Sequence, residues 1–255
     1  MPDGTQVPEC PPAKEFRHLM STDTELKSSP SHPALSGLDK QVQGLRETGQ
    51  YFFERGWSVG TSSNYSVVVN RSPLQLMVTA SGMDKGRLAP NDFVRSNYDG
   101  NQVDAENMPT TDQPRSSAET QLHVVLARME DVGSVLHTHS VWGTLLSDTF
   151  GDEGGFDIEG YEMLKGLAGV KTHQHTEHVP IFENTQDIPK LAEKVEKRVQ
   201  DESLPPIHGF LIRNHGLYTW GEDLAEARRH IEIYEFLFEV LGRKLAAQGK
   251  LCPAK

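Results

Sequence analysis

The chain has 255 residues, 36% hydrophobic and 24% charged, with a mean hydropathy of −0.52. That is a soluble globular composition, long enough to bury a substantial core. Asp and Glu outnumber Lys and Arg by 36 to 25, a formal charge of −11, so nucleic acids and anionic membranes are repelled on average and any anionic ligand must be small and held locally.

Six prolines (Pro2, Pro8, Pro11, Pro12, Pro30 and Pro33) lie among Ser, Thr and Asp at the start of the chain, which predicts a disordered tail over 1–36. Nothing in the first twenty residues resembles the apolar core of a secretory leader, and no apolar run approaches the roughly 20 residues that cross a bilayer; a cytoplasmic location is expected. Cys10 and Cys252 lie near opposite ends without a CxxC partner, an arrangement unsuited to a disulfide framework or a thiolate metal site.

From residue 37 onward the spacing is that of a folded domain. In "GLDKQVQGLRETGQYFFERGW", Leu38, Val42, Leu45, Tyr51 and Phe52 share one side of a helix. "YSVVVNR" and "LQLMVTAS" are β-rich strands, "AETQLHVVLARM" is a helix and "GSVLHTHS" returns to strand character. "EMLKGL" opens a short helix, "IPKLAEKVEKRVQ" is a surface helix, and "GFLIRNHGLYTWG" forms two strands around a His-Gly turn. The longest helix follows, with Leu224, Ala227, Ile231, Tyr234, Phe238, Leu241 and Leu245 in step and Asp223 and Glu226 as a capping box. The expected fold is an α/β layered domain over 37–246, with a short tail at 247–255.

His137 and His139 point to the same face of their strand, as two metal ligands would; two imidazoles on a strand is the competing reading of an H-x-H. His215, beside a glycine that permits a sharp turn, supplies a third imidazole, or else only hydrogen-bonds its own loop. Three neutral imidazoles with an open position make a catalytic metal site, and divalent ions other than zinc fit nearly as well. A second group, His173, His175 and His178, sits among charged residues and reads as solvated or as support behind a ligand; His123, His208 and His230 read as isolated packing or surface residues.

Glu119 and Glu162 each stand near a helix start, where a carboxylate serves either the helix dipole or, beside a metal, proton transfer. The turns Gly60 to Ser66, Thr79 to Gly86 and Arg115 to Thr120 are rich in Gly, Ser and Thr and suit a phosphate, to which Lys85 and Arg115 could add charge.

"GTSSNYSV", "SGMDKGRL", "SAETQLH", "VLHTHS" and "RNHGLYTWG", in this order, resemble the class II aldolase and adducin family over about 37 to 246. "SGMDKGRL", "EMLKGL" and "FENTQDI" narrow the likeness to its dehydratase branch. The resemblance implies a three-layer α/β/α fold with a central mixed or antiparallel sheet, assembled as a homotetramer. It implies one Zn2+ per subunit on His137, His139 and His215, with Glu162 as proton donor and acceptor. Phosphate contacts then map onto Ser63, Asn64, Ser81, Gly82 and Ser117. Glu119 stands where relatives place a Glu near the metal or a Cys on the substrate, so this position does not exclude aldol chemistry.

The activity so implied is zinc-dependent dehydration of 5-methylthioribulose 1-phosphate to 2,3-diketo-5-methylthiopentyl 1-phosphate in methionine salvage. Aldolase or epimerase chemistry on a sugar phosphate is the alternative on the same scaffold. An adducin-like interaction module without chemistry is a third reading, against which the presence of all three histidines argues.

Overall fold

The computed structural model describes residues 32–251. Five helices and eight strands alternate along the chain: α1 (Asp39–Glu54), β1 (Asn64–Arg71), β2 (Leu74–Thr79), β3 (Phe93–Asn97), α2 (Thr120–Ala127), β4 (Ser134–Thr138), α3 (Val141–Thr149), β5 (Gly155–Glu159), β6 (Thr176–Phe182), α4 (Ile188–Val199), β7 (Gly209–Ile212), β8 (Gly216–Gly221) and α5 (Leu224–Ala247). The strands form one sheet in the order β3-β2-β1-β4-β8-β7-β6-β5. Every neighbouring pair is antiparallel except β6 and β7. A parallel pair needs a crossover, and α4 lies in the connection between these two strands.

Helices cover both faces. The apolar stripe of α1 (Leu38, Val42, Leu45 and Phe52) joins Leu146 of α3 and Ile231, Tyr234, Leu237 and Phe238 of α5 in one buried cluster. On the opposite face Leu122, Val125 and Leu126 of α2 meet Leu191, Ala192 and Val195 of α4 over Val135, Phe210, Ile212 and Tyr218 of the sheet. The three layers and the mixed sheet agree with the sequence-based expectation. At the head of α5 the Asp223 carboxylate accepts from the Glu226 N–H at 2.8 Å, while the Glu226 carboxylate accepts from the Glu222 N–H at 2.9 Å; this is the expected capping box with its return reach one residue further back. Among the described residues no helix is long and apolar enough to cross a membrane.

The tail expected over 1–36 is only partly open to view, since 1–31 lie outside the described residues, as do Cys10 and Cys252. Residues 32–36 are packed against the domain. Pro33–Leu35 form one turn of 3-10 helix, Leu35 is fully buried in the α1 cluster, and the Arg95 guanidinium donates to the Ala34 carbonyl at 2.8 Å. The domain edge therefore lies upstream of residue 37. Leu35→Ala is expected to lower stability by about 2–5 kcal/mol, as buried Leu truncations do, measured as a shift in the denaturant midpoint of the full-length chain.

Candidate metal centre

β4 is buried at every position, and its end carries His137; His139 follows one residue beyond it. β8 pairs antiparallel with β4, His137 opposite Tyr218 and Thr138 opposite Leu217, which brings the β7–β8 turn and His215 to the end of β4. That turn is tight: Asn214 is left-handed at φ 54, and Gly216 lies so close to β4 that a Cβ there would overlap the Thr138 carbonyl and touch the His137 ring. The three imidazoles thus converge, with ring centroids 4.5 Å apart for His137 and His139, 5.0 Å for His137 and His215, and 4.5 Å for His139 and His215. One nitrogen from each lies within 4.8 Å of the others.

The donor set fits a divalent metal. His137 Nδ1 donates to the Leu217 carbonyl at 2.9 Å, which fixes the tautomer and leaves Nε2 as a free lone pair aimed at the cluster. His139 Nε2 stands 2.7 Å from that atom, close enough for the two nitrogens to share one proton in a hydrogen bond or to face one ion. Burial first, and then the charges of His139 and His215, hold His137 well below its ordinary range. Burial, with the charges of His215 and Lys85, lowers His139 to about 4. Neutral imidazoles are the form that ligates. Tyr218 stacks on His137 at 4.0 Å and 15°, with Phe210 stacked behind it at 5.1 Å. Between the two ligands, Thr138 Oγ1 donates to the buried Glu235 carboxylate of α5 at 2.9 Å.

Glu119, at the head of α2, makes no side-chain cap. Its carboxylate instead faces the triad, 3.3 Å from His215 Nε2 and 3.9 Å from His137 Nε2. A one-way chain of hydrogen bonds runs behind it. The Asn64 amide donates to Glu119 Oε2 at 2.6 Å, His123 Nε2 donates to the Asn64 carbonyl oxygen, and Ser66 Oγ meets His123 Nδ1 at 2.8 Å. Because the Asn64 amide nitrogen is committed to a carboxylate, its oxygen must accept, so His123 carries its proton on Nε2 and accepts from Ser66. Burial keeps that ring neutral, its pKa lowered to about 3. The sequence alone presents His123 as a packing residue and assigns Asn64 to phosphate; the structure commits the side chains of both to aiming Glu119.

The remaining expected residues are dispersed around this centre. Ser63 is buried in a left-handed turn, φ 71, and its hydroxyl has no partner among the described residues. Gly82, φ 75, faces open space; Ser81 N–H bonds the Arg115 carbonyl at 2.9 Å, and the Ser117 hydroxyl accepts from the Glu119 N–H at 3.2 Å. Lys85 is buried, its ammonium donating to the Met83 carbonyl at 2.7 Å, and burial lowers its pKa to about 8 against the opposing pull of Asp84 and Asp92.

Glu162 is not part of this constellation within one chain. β5 runs antiparallel to β4 and four strands away, about 19 Å at ordinary strand spacing, so Glu162 lies beyond the opposite end of the sheet. Its side chain is 67% exposed and pairs with Lys165 and, at 3.2 Å, with His173. His173 and His178 are half exposed, as a solvated reading requires. His175 differs: it meets the buried Glu177, which in turn meets His208 from a distant part of the chain.

A mixed sheet between two helical layers, with three imidazoles and a carboxylate at the end of its central strands, defines a layered α/β fold built around a candidate metal centre. The family model described as the class II aldolase and adducin N-terminal domain matches residues 43–241, and the chain belongs to that family. It is 45% identical over 199 residues to a methylthioribulose-1-phosphate dehydratase of Marinobacter nauticus, covering 78% of this chain and 90% of that protein. It is 42% identical to the protein of the same name from Pseudomonas fluorescens, covering 79% and 91%. Among solved structures, an L-fuculose-1-phosphate aldolase from Thermus thermophilus superposes with a TM-score of 0.61 at 20% identity, over 82% of this chain and 98% of that one.

Depressed imidazole pKa values have a direct consequence for metal retention. With His139 held at about 4, protons compete for its nitrogen only well below the ordinary histidine range. His139 is therefore expected to give up a metal to protons only towards about pH 4, read from its ring resonances during acid titration of the metal-loaded protein. Protonation of that ring at the ordinary histidine value of about 6.5 would contradict the burial argument.

Proposed function

We propose that this chain is a zinc-dependent hydro-lyase of methionine salvage, acting in the cytoplasm on 5-methylthioribulose 1-phosphate to give 2,3-diketo-5-methylthiopentyl 1-phosphate and water. The observation that carries the reading is alignment over nine-tenths of the length of relatives bearing that dehydratase name, in a chain whose three imidazoles and Glu119 converge on one point.

His137, His139 and His215 hold the zinc, which when bound supplies a Lewis acid for the substrate's carbonyl and neighbouring hydroxyl oxygens. Ser63, Ser81, Gly82 and Ser117, on the turns nearby, receive the phosphate, a role that suits the unpartnered Ser63 hydroxyl and the open backbone at Gly82. Glu119, aimed by Asn64 and His123, fixes the orientation of what binds beside the imidazoles. Glu162 removes the proton on C3 and returns it to the C4 hydroxyl as that group leaves. The enol so formed between C3 and C4 takes a proton at C4 and gives up the proton of its C3 hydroxyl, becoming the diketone, so one water is lost in balance.

Because Glu162 cannot reach the triad of its own chain, it serves the triad of a neighbouring subunit in a homotetramer. Supporting this are its exposure, the exposed Met163 beside it, and the exposed apolar Val141, Leu145 and Phe236 on α3 and α5.

The deciding experiment is anaerobic incubation of the zinc-loaded protein with the substrate, followed by mass spectrometry of the product: loss of one water is expected, whereas a three-carbon ketose phosphate would mean aldol cleavage. His137→Ala is expected to lose metal and turnover together. Glu162→Gln is expected to keep the metal and lose turnover by about 10²-fold or more. Co-assembling Glu162→Gln with His139→Ala subunits is expected to restore activity, since some sites then receive an intact triad and an intact carboxylate from different chains; no recovery would show that Glu162 acts elsewhere.

A further inference from the structure

A second cluster of ligating side chains lies at the opposite end of the sheet from the triad, where β6 and β7 begin side by side. His175 immediately precedes β6, Glu177 is its second residue, and His208 immediately precedes β7. His175 Nε2 stands 2.8 Å from Glu177 Oε2, and His208 Nδ1 stands 3.0 Å from the same oxygen. One donor atom from each residue lies within 4.8 Å of the other two.

The hydrogen bonds around this cluster leave an electrostatic gap at its centre. His208 Nε2 faces the Ala168 carbonyl at 2.8 Å, so that nitrogen carries a proton. A neutral His208 therefore has its lone pair on Nδ1, directed at a carboxylate oxygen. Glu177 is fully buried, and its other oxygen already accepts from the Tyr234 hydroxyl at 2.6 Å and the His208 N–H at 3.1 Å. Burial alone would raise this carboxyl, but the hydrogen bonds and charge of His208, with Tyr234 and His175, outweigh it and hold the group at about 2. The position between His208 Nδ1 and Glu177 Oε2, 3.0 Å apart, is thus a site for a positive charge, filled either by a second proton on His208, whose affinity for it the Glu177 carboxylate raises, or by a metal ion. The triad uses the same device, a backbone carbonyl on one imidazole nitrogen aiming the other inward.

Access favours a metal ion over a bare proton. Beside His208 opens a cavity of about 310 Å3 whose lining includes Glu130, Asp131, Glu222 and Glu226 and no Lys or Arg. Glu226 is partly engaged by Arg229 at 2.7 Å, and the other three carboxylates give the mouth a net negative potential. The cavity reaches His208 and not the other two residues, while His175 is partly exposed, so water reaches the cluster from that side. Two imidazoles and one carboxylate are a common donor set for zinc and other first-row divalent ions.

We propose that His175 Nε2, Glu177 Oε2 and His208 Nδ1 form a second divalent-cation site, separate from the catalytic triad. The ion joins β6 to β7, the one parallel pair in the sheet. It also steadies the connection from β5 to β6, because His208 holds the Ala168 carbonyl and His230 Nε2 holds the Ala168 N–H at 3.0 Å. That connection carries Glu162, so the ion's part in catalysis rests on the function proposed above, while its binding does not.

The test is metal stoichiometry on the full-length protein, stripped with chelator, reloaded with Zn2+ and passed through gel filtration. Two equivalents per chain are expected for the unaltered protein and one each for His175→Gln and His139→Gln, with none for the double variant. One equivalent in the unaltered protein and none in His139→Gln would overturn the proposal and leave a proton between His208 and Glu177. Two equivalents persisting in His175→Gln would equally overturn it, by placing the second ion elsewhere. Since the unaltered protein decides the first point, a variant that failed to fold would not obscure the result. A protein that holds two ions but does not dehydrate its substrate would fail the proposed function and leave this site standing.

Discussion

Three imidazoles must be brought within van der Waals distance of one another without any of them taking up a proton, and much of the architecture around the sheet centre meets that demand. An imidazolium at any of the three positions would repel a metal and its neighbours alike. For His137 and His139 burial supplies the necessary bias, since a charged ring is penalised when removed from water. At His137 the Leu217 carbonyl acts against that bias but confines the ring's one proton to the nitrogen not needed for ligation, while Tyr218 stacks on the ring face. β4 and β8 are central strands, covered on both faces, and this is the environment that a neutral, tightly placed ligand set requires.

The same two strands determine what else surrounds the site. β1 is the other neighbour of β4, and its register places Asn64 opposite His137, so the residue that aims Glu119 sits beside a ligand as a cross-strand partner. Glu119 reaches the site from the head of α2, in the layer opposite α1 and α5. The carboxylate is thus positioned from one helical layer and the β4 end is pinned from the other, through Thr138 and Glu235. Displacing either helix would disturb the triad through these contacts without altering a ligand.

Much of this is legible in the sequence. The helix at Asp39–Glu54 and the long C-terminal helix carry apolar residues at a period that only a helix satisfies, and the H-x-H on a β-branched run, with the distant His-Gly turn, locates all three converging imidazoles. What escapes are features that depend on contacts far apart in the chain. β6 begins with Thr176, Glu177 and His178, which read as a polar loop because Glu177 is buried by Tyr234 and His208 rather than by its own neighbours. Nothing local marks His123 as part of a relay, since its partners Asn64 and Ser66 lie more than fifty residues away. The domain edge reads late for the same reason: Leu35 sits beside prolines and is recruited to the core by α1. Glu162 can be picked out by motif, yet only the strand directions reveal that it stands at the wrong end of its own sheet.

Gly216 has a further consequence. It touches no substrate and offers no ligating atom, yet the absence of a side chain there is what lets β8 approach β4 closely enough for His215 to complete the triad. Any substitution would press on the Thr138 carbonyl and the His137 ring at once, wedging the two strands apart and disturbing the arrangement of the three imidazoles. The spacing of the three imidazoles is therefore set in part by a position that an inventory of functional groups would pass over. In natural drift it is a position where even one added methyl group must move a central strand pair, and the imidazoles with it.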